Sequence, residues 1–140
     1  MPVDYDKGVM EYDNIKNIWD TVVSFPNCPS EDLNENGILN AGEDTNGSGN
    51  LEPGNLVVIS PPSVTTDANG FAEFTIQYGK QYAKWSRVKI VAQTNVGGTE
   101  STRSIEFLLP IAKADIGDQA EPPAGEFSPF GESSFCNDTK

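Results

Sequence analysis

Oxygen-bearing side chains recur at a regular spacing in the acidic segment of residues 32–43, which we call the first loop. Counted from Asp32, they occupy positions 1, 3, 5, 9 and 12, and a glycine occupies position 6. Calcium binds six to eight oxygens at about 2.3–2.6 Å, and a short segment can supply them only by wrapping around the ion. The glycine permits the sharp turn, so the spacing predicts a Ca²⁺ site. The predicted ligands are Asp32, Asn34, Asn36, the carbonyl of Ile38, Asn40 through a water molecule, and both carboxylate oxygens of Glu43.

The same spacing starts again in residues 44–55, which we call the second loop. A glycine again occupies position 6, but Asn55 stands at position 12 in place of a glutamate. Because an amide offers one neutral oxygen, we expect the second site to bind calcium more weakly or to borrow a ligand from elsewhere. The alternative is that Asn, Asp and Gly gather here because they form turns. The predicted ligands of the second loop are Asp44, Asn46, Ser48, Asn50, Glu52 and Asn55.

Both loops have the ligand spacing of an EF-hand, but the sequence lacks the two helices that flank an EF-hand loop. Pro26 and Pro29 disfavour a continuous helix before the first loop. After Glu43 the chain runs directly into Asp44-Thr-Asn-Gly, which is another turn-forming sequence. We therefore predict two calcium loops inserted into a non-helical scaffold. Such loops would brace a structure rather than open a groove, as EF-hand sensors do.

The chain is strongly acidic, with a formal net charge of -12 and no histidine. No lysine or arginine occurs between Lys16 and Lys80, so the loop carboxylates repel one another unless a cation binds. The same acidity argues against nucleic acid as a partner, because nucleic-acid sites need basic patches. No apolar run approaches the roughly 20 residues of a membrane helix, so we expect no membrane insertion.

The cysteines and the acidic composition point to an extracellular or cell-surface location. Cys28 and Cys136 lie near opposite ends of the chain, and a disulfide between them is favoured over two free thiols because disulfides persist in oxidising compartments. The first residues, Met1-Pro-Val-Asp-Tyr-Asp, lack the basic and apolar regions of a signal peptide. An exported domain of this sequence would therefore be a fragment of a longer chain or would have lost its leader.

Catalytic chemistry is poorly represented in the sequence. Without histidine the chain has no Ser-His-Asp triad, no Cys-His pair and no histidine-ligated zinc site. The glycine-rich phosphate-binding motifs are absent, and the clustered carboxylates are better explained as calcium ligands than as a glycosidase pair. We therefore expect that this chain is not an enzyme.

Most of the remaining sequence has the short, turn-separated apolar runs of β-strands. Pro61-Pro62 ends one run, and Asn69-Gly70 and Gly97-Gly98 mark turns. Residues 12–23 also allow a short helix, because their apolar side chains recur at helical spacing. The two tryptophans and the phenylalanines are expected in the core. The predicted strands cover residues 9–12, 19–24, 56–60, 71–78, 85–94 and 101–109.

These elements predict an all-β fold, an antiparallel β-sandwich formed by a single domain over residues 1–140. Residues 31–55 form the calcium-loop insertion within it. Residues 114–140 differ in character, with Pro122-Pro123, several glycines and no basic residue before Lys140, and we predict an irregular, loop-rich tail. A disulfide between Cys136 and Cys28 would pin this tail across the body.

One stretch of the sequence resembles a known family. Ser63-Val-Thr-Thr-Asp-Ala-Asn-Gly-Phe-Ala-Glu-Phe-Thr-Ile76, followed by Val88-Lys-Ile-Val-Ala92, is similar to bacterial immunoglobulin-like domains of the invasin and intimin type. Those domains carry a Thr-Asp-x-x-Gly-x-Ala turn, then a strand of alternating apolar residues that ends in alanine. The resemblance covers residues 55–110 and implies an immunoglobulin-like sandwich, used as a repeated module in exported surface proteins that are often adhesins. The calcium loops and the cysteine-bearing tail depart from that pattern.

Two functional hypotheses follow. In the first, the chain is a structural and adhesive module whose bound calcium stabilises a surface-exposed sandwich, with neighbouring immunoglobulin-like modules of a longer chain as partners. In the second, it is a recognition module in which loop-bound calcium coordinates a glycan or a peptide of a surface protein. The second hypothesis requires an open coordination position, and the second loop, without its closing carboxylate, is where we expect one.

Overall fold

The computed structural model describes residues 1–139, which form six antiparallel strands in two sheets. The four-stranded sheet has the order β2-β1-β5-β6, and β3 pairs with β4 in a separate two-stranded sheet. No α-helix occurs among these residues, so the predicted all-β class is confirmed, and the two sheets make the fold sandwich-like. The strands are β1 (Pro2–Asp13), β2 (Ile18–Pro29), β3 (Val57–Ser60), β4 (Thr75–Tyr78), β5 (Ser86–Val96) and β6 (Thr99–Leu108), with short 3-10 turns at Lys80–Tyr82 and Lys113–Asp115.

The first two strands form a long hairpin, so the helix that residues 12–23 also allowed is wrong. The Asp13 carboxylate accepts hydrogen bonds from the backbone N–H groups of Ile15 and Lys16 at 2.8 and 3.1 Å, and Asn17 adopts a positive φ of 54°. These contacts make a tight turn, and Ile15, which a helix would have buried, is 92% exposed. Cross-strand pairing along β1 and β2 outweighs the helical spacing of the apolar residues.

The hydrophobic core lies against β1 and is completed by residues from the C-terminal tail. Both tryptophans are buried as predicted, but Phe130 is the phenylalanine that joins them, whereas Phe71, Phe74 and Phe135 are largely exposed. The expectation that the phenylalanines form the core is therefore wrong for most of them. The buried cluster consists of Tyr5, Met10, Trp19, Cys28, Trp85, Ile116 and Phe130.

The tail after residue 114 is irregular, as predicted, but it is bound tightly to the sheet by hydrogen bonds to its backbone. The indole N–H of Trp19 donates to the carbonyl of Asp118 at 2.8 Å, and that of Trp85 donates to the carbonyl of Gly125 at 2.7 Å. The N–H of Met10 in β1 also donates to a tail carbonyl, at 2.6 Å. Strand β1 therefore hydrogen-bonds to the tail as well as to β2 and β5.

A disulfide joins the tail to the end of β2. Cys28 and Cys136 are bonded with their Cα atoms 5.4 Å apart, and Cys28 is fully buried. Close to this bridge, the buried ammonium of Lys7 donates to the backbone carbonyl of Asp138 and lies 3.2 Å from its carboxylate. The bridge and this ion pair fix the last described residues to β1 and β2.

The hairpin of β5 and β6 is buried at its base and exposed along its outer half. Ser86, Val88 and Ile90 are buried, whereas every residue of β5 from Val91 onward is exposed. The chain reverses at Gly97-Gly98, where both residues have positive φ, as the sequence predicts. The β3–β4 connection contains the predicted turn near Asp67, but β4 begins at Thr75, four residues later than predicted.

Candidate metal centre

The first loop folds its side chains back onto its own backbone. The carboxylate of Asp32 accepts hydrogen bonds from the N–H groups of Asn36 and Gly37 at 2.9 and 2.8 Å. The side-chain oxygen of Asn34 also accepts from the N–H of Asn36, at 3.1 Å. These bonds bring the oxygens at positions 1, 3 and 5 to the inside of one turn. The curvature that the ligand spacing requires is therefore present in the fold.

The closing end of this loop meets the same turn. The buried Glu43 carboxylate accepts hydrogen bonds from the backbone and side-chain nitrogens of Asn40 at 2.8 and 3.1 Å. The side chain of Asn40 also donates to the carbonyl of Ile38 at 2.6 Å, while the Ile38 side chain is 65% exposed. Ile38 therefore turns its carbonyl inward and its side chain outward, the arrangement that a backbone ligand at position 7 needs.

The second loop repeats the hydrogen bonds of the first. The carboxylate of Asp44 accepts from the N–H groups of Ser48 and Gly49, each at 3.0 Å. The side chain of Asn46 accepts from the N–H of Ser48 at 2.9 Å, and the Ser48 hydroxyl accepts from the N–H of Asn50 at 3.1 Å. In both loops, then, position 1 accepts from positions 5 and 6, position 3 from position 5, and position 5 from position 7.

The backbone conformations of the two loops agree as well. Position 4 has a positive φ in each loop, 58° at Glu35 and 75° at Gly47. Position 6 does the same, with 73° at Gly37 and 76° at Gly49. A positive φ is costly for residues other than glycine, so the strained Glu35 indicates that the turn itself is required there. The twelve-residue repeat of the sequence is thus also a repeat of structure.

The two loops differ at position 12. Asn55 lies against the first loop, where its side-chain nitrogen is 3.4 Å from the carbonyl of Gly37. A Cβ added to Gly37 would approach that nitrogen to 2.6 Å, so a larger residue would displace the Asn55 side chain, and the positive φ of 73° at Gly37 also favours glycine. Besides Asp44, the second loop contains one more acidic residue, Glu52, whose carboxylate accepts a hydrogen bond from the side chain of Asn46 at 2.6 Å. Burial raises the pKa of Glu52 above its usual range, and the nearby Glu31 charge adds to this effect.

Glu31 is a central residue of this region that the ligand spacing did not reveal. It precedes the first loop by one position and is 1% exposed. Its carboxylate accepts hydrogen bonds from the N–H and hydroxyl of Thr45 and from the N–H groups of Asn46 and Glu52, at 2.9 to 3.3 Å. In the sequence, Glu31 is one more acidic residue in an acidic segment, and nothing else there indicates its contacts with the second loop.

The second loop is also coupled to the core through Tyr5 on β1. Burial raises the pKa of Tyr5 to about 12, and the negative charges of Glu52 and Glu31 contribute to this rise. Tyr5 is 1% exposed and packs against Phe130 from the tail, with the ring centroids 4.6 Å apart and the rings tilted by 46°. The carboxylates of the insertion are therefore near Tyr5 and the hydrophobic core.

The donor set of the loops fits a hard cation. Within residues 1–139, no three Asp, Glu, His or Cys side chains gather in an arrangement that could hold a metal ion by themselves. The first loop has two carboxylates among its predicted ligands, Asp32 and Glu43, so a shell of six or more oxygens would need the neutral amide and carbonyl oxygens beside them. A carboxylate oxygen that accepts a hydrogen bond from the backbone keeps a further lone pair for an ion. An oxygen-only set suits calcium rather than the softer transition metals.

Comparison of the chain with protein-family models, with curated proteins and with solved structures finds no match. In the part of the chain that the structure describes, no helix is long and apolar enough to cross a membrane. The geometry of the two loops is therefore the principal evidence about function.

Proposed function

We propose that this chain is a calcium-binding, immunoglobulin-like structural and adhesive module of an exported bacterial surface protein, in which calcium stabilises the fold. The observation that carries the proposal is the matched hydrogen-bond pattern of the two loops, with positions 1, 3 and 5 turned inward in each. Asx and related turns explain the individual contacts, but not why the same residue types recur at the same positions with a spacing of twelve residues. A common ligand geometry accounts for the repetition.

The insertion has little apolar packing of its own to hold it together. Leu33 and Ile38 are 73% and 65% exposed, and no strand crosses residues 31–55. The same segment concentrates carboxylates without a lysine or arginine among them. Bound calcium would offset their repulsion and would add about 2.7 kcal/mol of stability at a free calcium concentration one hundred times the Kd. Extracellular modules bind calcium at about 10⁻⁴–10⁻³ M, so the proposed stabilisation belongs outside the cell.

The location and partners are part of the same proposal. A buried disulfide is typical of proteins from oxidising compartments, which agrees with an extracellular or cell-surface site. The resemblance to invasin-type and intimin-type domains supports a role as one module among neighbouring immunoglobulin-like modules. Surface proteins that carry such domains are often adhesins, which is why we include adhesion in the proposal.

Isothermal titration calorimetry with calcium, combined with melting curves in calcium and in EDTA, tests the proposal. We expect one or two sites and a clear rise of the melting temperature in calcium. Magnesium at the same concentration is the matched control, because it demands a more rigid octahedral shell and dehydrates reluctantly. No heat of binding and no shift of the melting temperature would reduce the two loops to turns and refute the proposal.

A further inference from the structure

Glu31 makes the same contact in the second loop that the closing glutamate makes in the first. In the first loop, Glu43 at position 12 accepts the N–H of Asn40 at position 9 through its Oε2 atom, at 2.8 Å. In the second loop, position 9 is Glu52, and its N–H donates to the Oε2 atom of Glu31 at 3.1 Å. The carboxylate of Glu31 therefore accepts the N–H of position 9 in the second loop, as the closing glutamate does in the first.

The residue that formally occupies position 12 of the second loop does not compete for this place. Asn55 directs its amide nitrogen to the carbonyl of Gly37 in the first loop, at 3.4 Å. Glu31, in contrast, is fixed beside the second loop, since its backbone N–H donates to the carbonyl of Glu52 at 2.8 Å. The second loop thus has a carboxylate at its closing end, supplied from outside its own twelve residues.

The burial and charge of Glu31 point independently to a cation. Its side chain is 1% exposed, yet none of the ion pairs formed by the described residues includes it. A buried carboxylate without a positively charged partner is costly, and N–H and O–H donors offset only part of that cost. Its Oε2 atom accepts a single hydrogen bond and keeps a lone pair for an ion.

We propose that Glu31 is the closing carboxylate ligand of a calcium site in the second loop, together with the inward-facing oxygens of Asp44, Asn46 and Ser48. This inference rests on the proposed function, because it assigns a ligand to the second of the two calcium sites. With Glu31 as a ligand, the second site is as fully closed as the first. Calcium bound there would stabilise the fold and would have no open coordination position for a glycan or peptide.

The first test is a calcium titration of the Glu31→Gln variant against the wild-type chain, followed by calorimetry and by luminescence of bound terbium. We expect two sites in the wild-type chain. In the variant we expect the second site to weaken by at least about tenfold, because the closing ligand loses its negative charge. The first site serves as an internal reference, and its affinity should change by less than about twofold, since its own ligands are intact.

The Asn55→Glu variant tests the same inference without disturbing a buried residue. If Glu31 already closes the second loop, a glutamate at position 12 adds nothing, and the affinity of the second site should stay within about twofold of wild type. If the second loop lacks a closing carboxylate, this substitution restores the EF-hand pattern and should strengthen that site by about tenfold or more. This variant also keeps the test decisive if Glu31→Gln does not fold.

The outcomes separate this inference from the proposed function. A wild-type chain that binds no calcium would refute both. Two sites in wild type with unchanged affinities in Glu31→Gln, or a large gain in Asn55→Glu, would overturn the assignment of Glu31 and leave the proposed function standing. A single site in the wild-type chain whose affinity Glu31→Gln leaves unchanged would also overturn the assignment, because the second loop would then not bind calcium.

Discussion

Removal of the disulfide is expected to lower the free energy of unfolding by about 5 kcal/mol. Cys28 and Cys136 are 108 residues apart in sequence, so the bridge closes most of the chain. In the chain-entropy model, opening a loop of this length restores about 16 cal/mol/K to the unfolded state, or about 4.8 kcal/mol at 25 °C. With an unfolding entropy of about 2.1 cal/mol/K per residue, this corresponds to a fall of about 16 °C in the melting temperature.

Urea denaturation of a chain with both cysteines replaced by alanine measures this loss, and the reduced wild-type chain is the matched control. The reduced chain keeps both sulfur atoms but lacks the cross-link, so the two samples separate chain closure from packing of the buried Cys28. Tryptophan fluorescence is a suitable signal, because the indoles of Trp19 and Trp85 both donate to backbone carbonyls of the tail. Detachment of the tail should therefore change the emission.

Two results would contradict this reasoning. A loss below about 1 kcal/mol in both samples would mean that residual structure already restrains the unfolded chain, contrary to the chain-entropy model. A large loss in the alanine variant with little loss in the reduced wild-type chain would assign the effect to packing around Cys28 instead of to closure.

Three further predictions concern the calcium site, an ion pair and the tail. Glu43→Gln should weaken the first calcium site by at least about tenfold in a calorimetric titration. Glu35→Gln removes the same charge from a side chain that is 54% exposed, and it should change that Kd by less than about threefold; equal effects would refute the ligand assignment. Hydrogen bonds from two lysines hold the pKa of Asp20 well below its usual range. Because the pKa of Asp20 is lower in the folded chain than in the unfolded chain, its carboxylate stabilises the fold at neutral pH. This contribution to the free energy of unfolding is lost as the pH falls through the folded-state pKa. Asp20→Asn should therefore lower the free energy of unfolding by about 1 kcal/mol at pH 7 and by less in acid, as measured by urea denaturation. A loss that does not change with pH would contradict this. Trp85→Phe leaves the Gly125 carbonyl without its indole donor and leaves a cavity, so we expect a loss of about 2–4 kcal/mol in the same assay, and a loss below about 1 kcal/mol would show that the tail is held by other contacts.

The strands and the two loops could be predicted because their signals are local. Each of the six predicted strands overlaps an observed strand, since alternation of apolar residues and the Gly97-Gly98 turn act over a few neighbouring positions. The hydrogen bonds that shape the first loop likewise join residues at most five apart in sequence. A spacing pattern can describe such contacts completely.

The parts that were missed depend on contacts between distant segments. Glu31 reaches its partners in the second loop across 14 to 21 residues, and Trp85 reaches Gly125 across 40. Spacing within one segment contains no information about such pairs. Hydrophobicity likewise did not indicate that Phe130 would be buried while Phe71 is 73% exposed, because burial depends on which segments pack against each other.

The covalent bridge also decides which part of the chain can bear mechanical tension. A force applied at the two ends passes from β1 and β2 to Cys28, crosses the disulfide to Cys136 and leaves through the last residues. Residues 29–135, with the first and second loops among them, lie outside this path and bear no tension through the covalent chain while the bridge is intact. The stretched contour is then limited to about 110–120 Å, against about 460–500 Å for the unbridged chain. The disulfide therefore carries the tension past the segment that contains the two loops.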